Sequence, residues 1–141
     1  MLQVTAGPSI QKGRALRKIA AIDIGTNSTH LLVASVDPEL RTFSIELAEK
    51  STTRLGERDP ETGNLSEAAI ERGLEALRRF RELALSHQVE QIVTAATSAV
   101  REAPNGRDFL QEIQDQFDLE VDLVSGPEEA RLIYLGVLSG M

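Results

Sequence analysis

The sequence predicts an α/β fold on a mixed five-stranded sheet, with elements in the order β-β-β-α-β-α-β-α. Three observations carry that expectation. Five β-prone runs, at Ile19–Ile24, Leu31–Val36, Phe43–Ala48, Val89–Thr94 and Val121–Val124, are separated by turns or by amphipathic stretches. The first three follow one another through short turns, so they pair antiparallel. The last two each follow a helix-length segment, the mark of crossovers that add parallel strands.

Residues 1–18 hold Gly7-Pro8-Ser9 and Gly13 and show no sustained period. They read as a flexible basic leader, and residues 19–141 as the folded part. Ile19–Ile24 is nearly all apolar, as expected of a central strand buried on both faces. Asp37-Pro38-Glu39 turns the second strand into the third, and the polar stretch from Arg54 to Asn64 reads as a loop. Ser66 can cap a helix running to about His87. Its buried stripe is expected at Ile70, Leu74, Leu77, Phe80 and Ala84, with Arg72, Glu75, Arg79 and Glu82 facing outward. Asn105 or Gly106 opens a second helix with Phe109, Leu110, Ile113 and Phe117 inward. Pro127 suits the first turn of a third, running to about Leu138 with Ala130, Ile133, Tyr134 and Val137 buried.

Composition narrows the chemistry. The 141 residues contain no cysteine, which excludes disulfides, thiolate catalysis and Cys-based metal sites. The only two histidines, His30 and His87, are 57 positions apart and give no metal-ligand spacing. The absence of a long apolar run argues against a membrane span and a secretory signal, so a cytoplasmic location is expected. Net charge is −7, and setting aside Lys12, Arg14, Arg17 and Lys18 leaves −11 on the remainder. So acidic a body does not suit a broad nucleic-acid surface. A polyanion site on it must be a local gathering of arginine and backbone N–H groups.

One segment offers such a gathering. Asp23-Ile24-Gly25-Thr26-Asn27-Ser28 places an acid at a strand end and a small polar turn after it. Gly25 permits close backbone approach, and Thr26, Asn27 and Ser28 bring hydroxyl, amide and N–H donors, the needs of a phosphate group. Asp23 would repel phosphate directly, so its use there is to hold a cation or orient a water. The same residues would also make an ordinary hairpin with a polar turn.

The pattern Asp23-x-Gly25-Thr26-Asn27-Ser28-x-His30-Leu31 resembles the first phosphate-binding motif of the actin-like phosphotransferase superfamily. Within it the resemblance is to the exopolyphosphatase and guanosine pentaphosphate phosphohydrolase family. Two further segments match that family in order: Ala96-Thr97-Ser98-Ala99-Val100-Arg101-Glu102-Ala103-Pro104-Asn105, and Ser125-Gly126-Pro127-Glu128-Glu129-Ala130-Arg131 through Val137. The resemblance implies a ribonuclease H-like (actin-like ATPase) fold and a hydrolase of terminal phosphoanhydride bonds acting on inorganic polyphosphate or guanosine pentaphosphate, the latter a stringent-response substrate. It implies Mg²⁺ or another divalent cation as cofactor.

By position, the resemblance makes Glu129 the general base. A capping box, Ser125 with Glu128, and a favourable helix dipole at Glu129 would also account for the acids at this helix start. Arg101 is expected to act beside Glu129, since arginine offers planar, bidentate donors. A surface pair with Glu102 is its ordinary alternative. Asp23, Gly25, Thr26, Asn27, Ser28, Thr97, Ser98 and Gly126 would position the phosphoryl oxygens and the cation. Arg54, in Arg54-Leu55-Gly56, resembles a position near the cleft. His30 reads as a strand side chain supporting the turn, and Arg131 as helix surface.

The family pattern would continue with a second Asp-x-Gly-Gly-Gly-Ser hairpin, and no second copy of the Asp23–Ser28 pattern occurs here. The chain is therefore expected to be the N-terminal subdomain of the catalytic unit, with a missing second subdomain as partner and little activity alone. A homodimer through Leu135, Val137 and Leu138 is a further expectation. The rival readings are half of a sugar or acetate kinase-like enzyme, and a guanosine tetraphosphate or pentaphosphate binding module without turnover.

Overall fold

The computed structural model describes residues 16–125. Within them run β1 (Arg17–Ile24), β2 (Thr29–Asp37), β3 (Thr42–Ser51), α1 (Glu67–Ser86), β4 (Gln91–Ala96), α2 (Ser98–Glu102), α3 (Gly106–Phe117) and β5 (Val121–Leu123). The strands form one sheet in the order β3-β2-β1-β4-β5. β1–β2 and β2–β3 are antiparallel, while β1–β4 and β4–β5 are parallel. The mixed five-stranded sheet expected from the sequence is present. The expected last helix, from Pro127, lies outside the described residues.

β1 is central because it is apolar on both sides. Ala20, Ile22 and Ile24 face the main core, which also takes Leu31 and Val33 from β2. Ile19 joins Leu32, Ala34 and Val36 in a separate buried cluster on the other face. β1 starts at Arg17, two residues inside the expected leader, and Arg17 is ion-paired to Glu90. β3 is an edge strand and stays exposed over most of its length, including Phe43 and Ile45.

α1 and α3 cover the main-core face. Ser66 Oγ accepts from Ala69 N–H at 3.1 Å, the cap expected of it, and His87 ends the helix. The buried stripe is rotated from the expected one. Leu77, Phe80 and Ala84 are inside, joined by Ala69, Gly73 and Ala76, while Ile70 and Leu74 are only half-buried. Small residues let the helix sit close to its neighbours. A Cβ on Gly73 would lie 3.0 Å from Phe109 Cζ of α3. Phe80 and Phe109 are fully buried, and truncating either to alanine would cost about 3–5 kcal/mol.

One element departs from the expected order. The five residues of α2 make a short helix between β4 and α3, with Ala99 and Val100 buried. β4 also runs two residues further than expected, to Ala96. Alanine favours strands weakly, and five residues are too few to show a helical period, so neither feature stands out in the sequence. Asn105 begins α3 as expected, but its side chain does not cap it. Its Oδ1 accepts from Leu65 N–H at 2.8 Å and its Nδ2 donates to Leu65 O at 3.2 Å. The corner between the two helices is tight, since a Cβ on Gly106 would fall 1.9 Å from Val100 O.

That corner sets a test of the packing. Gly106→Ala must push backbone away from backbone, and we expect it to destabilise the fold by roughly 2–3 kcal/mol, as read from urea midpoints.

Candidate functional site

Ile24 pairs with Thr29, so Gly25-Thr26-Asn27-Ser28 is left as a four-residue turn between β1 and β2. Gly25 N–H closes it by donating to Ser28 O at 3.0 Å. A Cβ on Gly25 would lie 2.9 Å from that oxygen, which is why glycine stands there. The loop after β3 holds the other carbonyls. Arg54 N–H donates to Asn27 O at 3.0 Å, and Gly56 N–H to Thr26 O at 2.9 Å. Thr26, Asn27 and Ser28 thus have every carbonyl engaged. Among the described residues their N–H groups donate to no protein acceptor. Three such N–H groups in one turn are a concentration of positive partial charge.

The holding loop is itself well anchored. Thr53 and Thr29 share a buried hydroxyl contact at 2.9 Å, and Leu55 is fully buried. Arg54 takes a left-handed φ of 50°, uncommon for a residue with a side chain. Arg72 of α1 does not face solvent as expected. Its Nε donates to Thr53 O at 2.9 Å and its Nη2 to Glu57 Oε1 at 2.9 Å. The Arg72 hydrogen bond, helped by Ser66, holds the Glu57 carboxyl below its usual range.

β4 brings the third component. Thr97 N–H donates to Ile24 O at 3.2 Å, so the start of α2 abuts the end of β1. Ser98 Oγ lies 3.5 Å from Thr26 Oγ1, the outer limit of a hydrogen bond. Asp23, Gly25, Thr26, Asn27, Ser28, His30 and Thr97 together line a cavity of about 310 Å³. Asp23 is its charged feature. One carboxylate oxygen, Oδ1, is buried with no hydrogen-bond partner. Burial pushes its carboxyl above the usual range, and the neighbouring His30 pulls it partly back. Larger hollows exist at the start of β4 (about 540 Å³) and along α1 (about 740 Å³), but neither holds any residue of the three sequence motifs.

Most of the sequence-predicted residues are therefore neighbours: Asp23, Gly25, Thr26, Asn27, Ser28 and Thr97 share the cavity, and Ser98 adjoins it. Arg101 sits in the last turn of α2. Its Nη1 donates to Val124 O at 2.7 Å, and Nη2 is 3.9 Å from Glu102 Oε2. It grips the chain just before Ser125. Gly126 and Glu129 lie outside the described residues. His30, read from the sequence as a strand side chain supporting the turn, lines the cavity opposite Asp23. Sequence reading missed the anchoring of the loop at Thr53–Gly56, a long-range contact with no local signature.

A strand–turn–strand cradle on the central pair of a mixed sheet, with a parallel neighbour strand ending beside it, agrees with the actin-like class of α/β domain that the sequence resemblance implies. The sequence profile of the Ppx/GppA phosphatase family matches residues 32–141. The chain belongs to the Ppx/GppA phosphatase family. It is 37% identical over 125 residues to a bifunctional 3-dehydroquinate synthase/phosphatase of Fusobacterium nucleatum, covering 85% of this chain and 19% of that protein. The Aquifex aeolicus Ppx/GppA family member superposes with a TM-score of 0.77 at 32% identity, over 87% of this chain and 40% of that one. An exopolyphosphatase from Cytophaga hutchinsonii gives 0.75 at 32% identity, over 86% of this chain and 38% of that one. The chain thus spans about two fifths of the length of these solved structures.

The buried acid predicts a cost in stability. Because Asp23 holds its proton more tightly folded than unfolded, ionising it disfavours the fold. That cost grows as pH rises from the unfolded value near 3.8 through the higher folded value, and is complete above it. Asp23→Asn is expected to raise the urea midpoint at neutral pH, with the gain shrinking as pH falls toward the unfolded value. An equal gain at all pH values would point to repacking instead.

Proposed function

We propose that residues 19–141 are the N-terminal subdomain of a phosphoanhydride hydrolase that releases terminal orthophosphate from inorganic polyphosphate or guanosine pentaphosphate. The observation that carries the reading is the Thr26–Ser28 turn, with its carbonyls held by protein donors and its N–H groups left to a ligand. Family membership supports phosphatase chemistry, and the exopolyphosphatase of Cytophaga hutchinsonii supports the polyphosphate substrate.

In this reading the terminal phosphoryl group sits against the N–H groups of Thr26, Asn27 and Ser28, with the Thr97 and Ser98 hydroxyls and Gly126 N–H completing the donors. The unpartnered Asp23 Oδ1 suits a divalent cation held directly or through water. Among the described residues no three of His, Cys, Asp and Glu gather to hold a metal unaided, so phosphate oxygens would supply further ligands, the habit of Mg²⁺. When bound, the ion would neutralise charge on the phosphoryl oxygens. Glu129 orients the attacking water and takes its proton. The chain spans about two fifths of these two solved relatives, which suits a second subdomain supplying the opposite wall, with little or no turnover by this chain alone. Association with a second copy, expected through Leu135, Val137 and Leu138, falls on residues outside the described ones.

Two substitutions in the longer protein test this. Glu129→Gln keeps size and hydrogen bonding and removes the base; turnover is expected to fall at least about 100-fold, with polyphosphate affinity changed far less. Turnover like that of the unmodified protein would remove Glu129 from the mechanism. Arg101→Ala is expected to weaken polyphosphate binding by about 1.5–3 kcal/mol along with the rate. Unchanged binding would leave Arg101 as the tie to Val124 alone.

A further inference from the structure

The Asp23 end of the cavity opens onto a row of side chains set by strand register. Asp23 pairs with His30 of β2, and His30 with Lys50 of β3. On the other side Asp23 pairs with Ala95 of β4, and Ala95 with Asp122 of β5. Cross-strand partners share a sheet face, so Lys50, His30, Asp23, Ala95 and Asp122 form one line across it. The line is electrically lopsided. Toward β3 it presents an exposed imidazole and then an exposed ammonium; toward β5 it presents a buried alanine and then an exposed carboxylate. Among the described residues the His30 side chain has only its electrostatic interaction with Asp23, and the Lys50 side chain forms no hydrogen bond or salt bridge.

We propose that His30 and Lys50 form a subsite for the phosphates next to the terminal one, and so make this site select a phosphate chain over free orthophosphate. The inference rests on the Gly25–Ser28 turn being the seat of the terminal phosphoryl group. From that seat a chain can run over His30 toward Lys50, or toward Asp122. The carboxylate repels it and the two nitrogen groups attract it, which fixes the direction. Lys50 stands two strand spacings from Asp23, roughly 9–10 Å of backbone. A single orthophosphate held at the turn is too short to engage both the turn and Lys50, whereas linked phosphates can. An ammonium and a ring N–H at the sheet surface act as charge-assisted donors to such oxygens. On a body with net charge −7 they also give the chain a local route that the rest of the surface denies it.

The test compares two probes, tripolyphosphate and orthophosphate, each with Mg²⁺, by titration calorimetry on the purified protein and on His30→Ala, Lys50→Gln and Lys50→Arg. Amide NMR shifts of Gly25 to Ser28 report whether the turn is engaged. Lys50→Gln should weaken tripolyphosphate about tenfold and leave orthophosphate within about twofold, His30→Ala should weaken tripolyphosphate by more than it weakens orthophosphate, and Lys50→Arg should retain tripolyphosphate affinity. Equal losses for both probes, or unchanged tripolyphosphate affinity in both neutral variants, would overturn the subsite and leave the turn's role intact. If tripolyphosphate shifts none of the Gly25–Ser28 amides in the unmodified protein, the seat itself is wrong and the subsite falls with it.

Discussion

Two backbone hydrogen bonds, Arg54 N–H to Asn27 O and Gly56 N–H to Thr26 O, fix the shape on which the site depends. A four-residue hairpin turn has few internal bonds, and this one has a single closing contact, from Gly25 to Ser28. Left to itself it would sample conformers in which carbonyls and N–H groups trade places. The loop removes that freedom by capturing the carbonyls. Its own position is set in turn by the Thr53–Thr29 hydroxyl contact, by Leu55 in the core and by Arg72 reaching down from α1. The donors are thus ordered before a ligand arrives, and ordering done during folding need not be repeated on binding.

The electrostatic setting follows from the same arrangement. Backbone N–H groups attract an anion without adding a formal positive charge, so the acidic surface and an anion-binding turn coexist in one small domain. Asp23 is the exception, a half-buried carboxylate near the end of β1, with one oxygen unpartnered. A half-buried carboxylate of this kind within the apolar part of β1, Ile19–Ile24, detracts from the fold, and such positions commonly mark a site. The cation proposed there would give that oxygen a partner.

Patterns of short range were legible in the sequence, and those of long range were not. The apolar runs and turns of β1, β2 and β3, the Ser66 cap and the hydrophobic spacing of α3 are all written within a few residues, and each is present, the strands running one to three residues past some of their expected ends. The cavity residues were legible as well, because Asp23 to Ser28 are contiguous and Thr97-Ser98 belong to the second segment that carries the family resemblance. What escaped was decided by partners distant in the chain. Arg72 looked like a solvated helix residue until the loop at Thr53 folded beneath it. The α1 stripe takes in Gly73 because Phe109 of another helix packs against it and leaves no room for a side chain. Arg101 carries no local sign that Val124, 23 residues on, would take its guanidinium.

The sheet order has a consequence for how the molecule assembles. The β1–β2 and β2–β3 pairings join strands separated by short turns, so they close small loops at little entropic cost. The parallel pairing of β1 with β4 joins Asp23 to Ala95, across the whole of β2, β3 and α1. Contacts of such high sequence separation are slow to find. The antiparallel hairpins can therefore form before the Thr97 wall is in place, and the cavity is completed by the chain's most distant major strand pairing. A nascent chain emerging from synthesis would hold the floor of this site well before it held the side.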